Sequence, residues 1–176
     1  MLFLLCVSAA LGAHGREAGK AAGRRSSRLG ALHYLEGRLR RYEQTTWYWE
    51  RLTGAPLTET AGRTLSAMDV PDLRRTVARW ERRALKAHRT AQHPPHMAQW
   101  MCIHHYEAAW NDVGSPYWGG LQMSLTFQER YGGWIYRMKG TADHWTPLEQ
   151  IWTAEKALKS RGFWPWPNTA RLCGLI

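Results

Sequence analysis

The residues best suited to chemistry surround Glu107, which lies in an apolar, aromatic-rich segment at positions 105–110. A carboxyl group packed among aromatic side chains resists ionisation, because desolvation disfavours its charged form. An acid that keeps its proton near neutral pH can protonate a glycosidic oxygen. Glu107 is therefore the candidate general acid, and the alternative is an ordinary surface glutamate at the end of a helix.

A second motif follows Glu107 after a tryptophan and a short polar loop. It consists of two aromatic residues, a Gly-Gly turn, a leucine and a glutamine. The candidate substrate-binding residues of this stretch are Trp110, Tyr117, Trp118, Gln122 and Ser124. A packing role is the alternative for the aromatic rings, because most tryptophans of a globular domain lie in its core. Asp112, the nearest other acid in the sequence, is interpreted as a turn former, with a catalytic partner as the alternative.

These motifs resemble the core domain of resuscitation-promoting factors and related bacterial transglycosylases. The resemblance covers roughly residues 98–173, which is less than half of the chain. The family pattern is a glutamate, a Trp a few residues later and then aromatic-aromatic-Gly-Gly-Leu-Gln. A later Gly-Gly and a Trp-Pro segment before the last cysteine also have counterparts. The matching residues are Glu107, Trp110, Tyr117, Trp118, Gly119, Gly120, Leu121, Gln122, Gly132, Gly133, Trp164, Pro165, Trp166 and Cys173.

The resemblance implies a lysozyme-like domain over residues 97–176, an α+β fold that is mainly α with a small β-hairpin. It implies cleavage of peptidoglycan between N-acetylmuramic acid and N-acetylglucosamine, with one glutamate as general acid and then base. Attack on C1 by the muramic acid 6-hydroxyl would make the chain a lytic transglycosylase. Attack by water would make it a muramidase, and the sequence does not choose between the two.

The chain departs from the family pattern in two places. Ala108 and Ala109 follow the glutamate where the family has small residues, typically Ser-Gly-Gly. Ser124 stands where relatives often carry an acidic residue, and its hydroxyl cannot offer a negative charge to an oxocarbenium ion. These departures leave room for an alternative function, a lysozyme-like module that binds peptidoglycan without cutting it.

The net charge of +10 is concentrated in the first half of the chain. Residues 1–96 hold 17 Lys and Arg against 8 Asp and Glu, whereas residues 97–176 hold 7 against 6. A basic region can bind an anionic wall polymer, a membrane surface or nucleic acid. The alternative is a spacer that holds the catalytic domain away from its anchor. No nucleic-acid partner is expected, because the arginine-rich faces lack interleaved aromatics and a groove-reading motif.

Three cysteines bear on the compartment of the protein. Cys6 lies in the apolar run 1–13, which has the length of a signal-peptide core but lacks a basic segment before it. If that run is removed, Cys102 and Cys173 remain as an even pair. In an exported protein they predict a disulfide worth perhaps ~4 kcal/mol, and two free buried thiols are the alternative. We expect a monomer secreted to the cell envelope, with peptidoglycan strands as its partner.

Four histidines lie close together in the sequence without forming a convincing metal site. Their spacing gives no clear pair on one helical face, and no cluster of cysteines or carboxylates completes a ligand set. The residues concerned are His93, His96, His104 and His105. No metal or cofactor is expected.

The hydrophobic spacing predicts the elements that position these residues. Residues 14–30 are rich in Gly, Ala, Ser and Arg and predict a flexible linker, and residues 31–92 predict a basic helical hairpin. A helix is expected over 97–109, with Ala98, Met101, Cys102 and His105 or Tyr106 facing inward. A hairpin over 117–124 and a helix over 125–131 follow. A capping box at Thr146 opens a helix to about residue 160, and the Pro-rich tail at 163–168 is expected to be irregular.

Overall fold

The computed structural model describes residues 8–60 and 68–176, with the side chains of Lys20 and of residues 22 onward in those ranges. The fold is mainly helical with one small antiparallel hairpin, as the sequence predicts. The helices are α1 (Ser8–Thr53), α2 (Val70–Ala91), α3 (Met97–Tyr106), α4 (Leu125–Phe127), α5 (Gly133–Lys139), α6 (Pro147–Arg161) and α7 (Pro167–Leu172). The strands are β1 (Tyr117–Trp118) and β2 (Met123–Ser124). None of the described helices is both long and apolar enough to cross a membrane.

The chain divides into two compact units, and the first comprises residues 1–45 and 59–83. Its core is an apolar seam between α1 and α2, with Leu39 and Leu73 completely buried. The hydroxyl of Tyr42 donates a 2.7 Å hydrogen bond to Glu81, and the guanidinium of Arg38 donates to Tyr42. Within residues 31–92, where the sequence predicts a helical hairpin, the structure thus has two helices with apolar side chains buried between them.

The second unit comprises residues 46–58 and 84–176 and contains all the candidate site residues. Its core contains the fully buried side chains of Trp100, Ile103 and Ile151. Leu52 at the end of α1 is buried in the same cluster. The sequence assigned this segment to the basic helical region, but its apolar side chains complete the core of the second unit.

The segment 14–30 differs from its prediction, because it is helical within α1 rather than a flexible linker. Its alanines and arginines are strong helix formers, which outweigh the glycines and serines between them. The predicted signal segment 1–13 is described only from Ser8, where α1 begins, and residues 1–7 lie outside the described residues.

Helix α3 ends at Tyr106, three residues earlier than predicted. Ala108 and Ala109 have high helix propensity, but tertiary contacts override it. The ring of Trp110 turns back to stack on His104 at 3.9 Å, and the carbonyl of Trp110 accepts a 2.8 Å hydrogen bond from Gln150. These contacts require the chain to leave the helix at Glu107.

The predicted inward face of α3 is also wrong. Trp100 and Ile103 are completely buried, whereas Ala98, Met101, His105 and Tyr106 are exposed and Cys102 is partly buried. The indole of Trp100 donates a 3.0 Å hydrogen bond to Glu155, a buried carboxylate on α6. This buried polar partner fixes the rotation of α3 in a way that apolar spacing does not reveal.

Two further segments differ from prediction. The helix predicted over 125–131 is the short α4 followed by a π-helical turn over Gln128–Gly132, and α5 starts directly at Gly133. The helical backbone continues through Gly132 into α5. A Cβ on Gly132 would lie 2.3 Å from the ring of Trp145, so the glycine allows close packing. The tail is irregular only to Trp166, because Pro167 starts α7 at a position where its missing N–H costs nothing.

Two predictions that depend on specific side-chain chemistry are confirmed. Thr146 and Glu149 form the reciprocal capping box at the start of α6. Cys102 and Cys173 form a disulfide across 71 residues, which joins α3 to the end of α7.

Candidate active site

Glu107 is the residue at which α3 ends. Its backbone N–H still donates to the carbonyl of His104, but its φ of −95° and ψ of −102° are not helical. The side chain is partly buried between α3 and α7. The end of a helix therefore presents this carboxyl group from a fixed backbone position.

The carboxyl of Glu107 accepts a hydrogen bond from α7. The hydroxyl of Thr169 donates to its Oε1 atom over 2.8 Å, and Thr169 itself is buried. Burial raises the pKa of Glu107 above its ordinary value, and the Thr169 hydrogen bond opposes that rise because it favours the charged form. The direction of this shift in the pKa of Glu107 agrees with the one that the sequence predicts.

Thr169 is the site residue that the sequence analysis missed. It lies 62 positions after Glu107, directly after the tail expected to be irregular, in a segment for which the sequence analysis predicted no element. The signal that would have revealed it is the cysteine pair. Cys102 lies about one helical turn before Glu107 and Cys173 lies one turn after Thr169, so antiparallel helices joined by this disulfide bring the two residues together.

Glu107 opens onto a surface depression of about 390 Å³. Among the described residues that line it, Glu107 is the only acid. The other lining residues are Met101, His104, His105, Ala108 and Ala109. The depression therefore offers one carboxyl group beside two imidazole rings and three apolar side chains.

The hairpin that carries the glycine motif packs against α3 through His104. The Nδ1 atom of His104 lies 3.0 Å from the carbonyl oxygen of Gly120. A Cβ on Gly120 would come within 2.7 Å of both the His104 ring and the Trp110 ring, so the position requires glycine. Gly119 has a φ of +74° and is equally restricted, since a Cβ there would lie 2.5 Å from the side-chain oxygen of Gln150.

Gln122 and Asp112 hold the loop before the hairpin. The amide of Gln122 donates to the carboxylate of Asp112 and to the carbonyl of Gly119, both over 2.9 Å. The carbonyl of Asp112 also accepts from the N–H of Gly119. These bonds give Asp112 the turn-forming role that the sequence favours, and they give Gln122 a structural role in addition to its predicted role in binding.

The predicted aromatic contacts differ in exposure. Tyr117 is 49 % exposed, whereas Trp118 and Trp110 are partly buried and pack against the core. Ser124 lies opposite Tyr117 in the hairpin, and its hydroxyl caps α4 by accepting from the N–H of Phe127. Tyr117 is thus the predicted residue with the largest free surface for a ligand.

The four histidines have different surroundings. His96 pairs with Glu155 at 3.0 Å, and His104 stacks on Trp110. His105 is exposed at the depression, and His93 is exposed beyond the end of α2. No set of three potential ligands converges on one point within residues 8–60 and 68–176.

The comparisons with known proteins leave the function to be argued from the site itself, since no protein-family model matches the chain and no curated protein matches it.

Proposed function

We propose that this chain is a peptidoglycan-cleaving enzyme with a lysozyme-like domain, in which Glu107 is the general acid and base. The observation that carries the proposal is a partly buried glutamate whose pKa is raised by burial and which faces an open depression. A carboxylic acid whose protonated form is favoured by burial can deliver its proton to a leaving oxygen. The substrate is proposed from the resemblance of the surrounding motifs to those of bacterial transglycosylases.

The reaction begins when Glu107 protonates the oxygen between C1 of N-acetylmuramic acid and C4 of N-acetylglucosamine. The C1–O bond breaks, and the N-acetylglucosamine end leaves with the proton as a hydroxyl group. C1 becomes oxocarbenium-like, and Glu107 is now a carboxylate. It takes the proton of the muramic acid 6-hydroxyl as that oxygen bonds to C1. The product is a 1,6-anhydro-muramic acid end, and Glu107 regains its proton.

Glu107 is the one acid among the described residues that line the depression, and this favours the intramolecular route. Hydrolytic glycosidases generally use two carboxyl groups, one as acid and one as nucleophile or base. The described residues lining the depression include no carboxyl group besides Glu107, and Asp112 is engaged with Gln122. The 6-hydroxyl is part of the substrate and can attack C1 in place of a water molecule that would have to be bound and activated. We therefore propose lytic transglycosylase chemistry rather than muramidase chemistry.

The test is the substitution Glu107→Gln, which keeps the size of the side chain and removes its titratable proton. We expect it to lower the rate of lysis of purified bacterial peptidoglycan by at least about a hundredfold, the scale of a lost general acid. Glu129→Gln is the matched control, because Glu129 is an exposed glutamate of the same unit. Circular dichroism verifies the fold of both variants.

Two results would overturn the assignment. Undiminished lysis by Glu107→Gln would show that another group donates the proton. Binding to the wall without any lysis by the unsubstituted protein would favour a non-catalytic peptidoglycan-binding module.

A further inference from the structure

The first unit carries a basic groove of about 680 Å³ along α2. Arg75, Arg79 and Arg82 lie on one face of the helix, because spacings of four and three residues bring side chains together. The other lining residues are Met68, Asp72, Thr76 and Ala78. With three guanidinium groups against one carboxylate, the groove is positive.

The guanidinium groups of this groove are accessible to a ligand. Arg75 pairs with Asp72, but their side chains are 70 % and 51 % exposed. The solvated pair is weak, so a phosphate can replace Asp72 as the partner of Arg75. Arg79 donates one hydrogen bond, 3.1 Å long, to the hydroxyl of Thr76. A guanidinium group has five donors, so most of those on Arg79 remain for a planar, bidentate contact with a phosphate.

The surroundings argue against two of the polyanions that a basic helix can bind. A helix that lies in a bilayer interface inserts an apolar face, but Leu73, Val77 and Trp80 on α2 are buried, and Leu85 is an isolated exposed leucine. Single-stranded nucleic acid is held by aromatic rings that stack on its bases. The described residues that line the groove include no aromatic side chain.

The disulfide favours one source of phosphate. Disulfides form and persist outside the reducing cytoplasm, in the compartment where envelope polymers occur and nucleic acids normally do not. We propose that the groove of Arg75, Arg79 and Arg82 binds a linear polyphosphodiester without bases or acyl chains, such as the poly(glycerol phosphate) of a bacterial envelope. The groove and Glu107 belong to different units, so polymer binding can be tested apart from glycan cleavage, while the bacterial source of the polymer rests on the proposed function.

The test measures binding of deacylated poly(glycerol phosphate) to the full chain by calorimetry at several salt concentrations. We expect Arg79→Gln/Arg82→Gln to weaken binding and to reduce the slope of log K against log salt by about 1.4, the release of two contacts to a single-stranded polyanion. Arg24→Gln/Arg25→Gln is the matched control, with the same loss of charge at exposed positions of α1.

The proposal stands if binding and slope fall in the groove variant and stay near the unsubstituted values in the control. Equal losses in the two variants would overturn it, since they would show attraction to net charge alone. It would also be overturned by tighter binding to phosphatidylglycerol vesicles or to a single-stranded oligonucleotide of equal charge. Circular dichroism verifies that each variant is folded.

Discussion

Two features of the structure shift the pKa of the Glu107 carboxyl group in opposite directions. Burial favours its protonated form, whereas the hydrogen bond from Thr169 favours its charged form. A group that acts first as acid and then as base must be able to adopt both its protonated and its charged form during the reaction. Thr169 thereby positions the carboxyl group and limits the rise of its pKa.

The substitution Thr169→Val tests this role, because it keeps the shape of the side chain and removes the hydroxyl donor. Without the donor, the pKa of Glu107 rises further, so the protonated acid persists to higher pH. We therefore expect the alkaline limb of the pH profile of kcat/KM to move to higher pH, with a lower maximal rate.

Thr169→Ser is the control, since serine restores the donor and should return the limb to its original position. Carbon-13 NMR titration of the Glu107 carboxyl follows the same change without any substrate. A lower rate with an unmoved limb and an unmoved titration would mean that Thr169 contributes packing alone.

At the scale of elements, α3 and α7 are joined at two points one turn apart. The disulfide between Cys102 and Cys173 fixes one point, and the bond between Glu107 and Thr169 lies at the other. Trp166, just before α7, donates through its indole to the carbonyl of Leu121 in the hairpin. The short helix α7 thus connects the acid to the glycine motif.

Removal of the disulfide by Cys102→Ser/Cys173→Ser should destabilise this arrangement. A loop of this length predicts a loss of roughly 4 kcal/mol in the free energy of unfolding. Urea unfolding measures the loss, and the unsubstituted protein in reductant should match the variant. An unfolding midpoint that neither the substitution nor reductant changes would show that packing alone holds α7 in place.

At the scale of the whole molecule, the features that the sequence predicts best are those set by neighbouring residues in the chain. The capping box of Thr146 and the glycine turn of the hairpin depend on residue types at fixed local spacing, and both are present. The disulfide across 71 residues was predicted from the number of cysteines, and it is also present. The pairing of Glu107 with Thr169 and the rotation of α3 about Trp100 were not predicted. Both depend on partners 55 or more positions away, which no local pattern encodes.

The positively charged groove and the candidate general acid lie in different units. Three arginines line the groove of the first unit, whereas the second unit holds the partly buried acid. Under the two proposals, the first unit would bind an anionic envelope polymer and the second would cleave glycan strands. This division is consistent with the concentration of positive charge in residues 1–96.

Mass spectrometry of the muropeptides released from purified peptidoglycan tests the central claim most directly. A single glutamate that acts as acid and then base predicts ends of 1,6-anhydro-muramic acid, released by the unsubstituted protein and not by Glu107→Gln. Reducing muramic acid ends would contradict the account, because they would show that water rather than the 6-hydroxyl attacks C1.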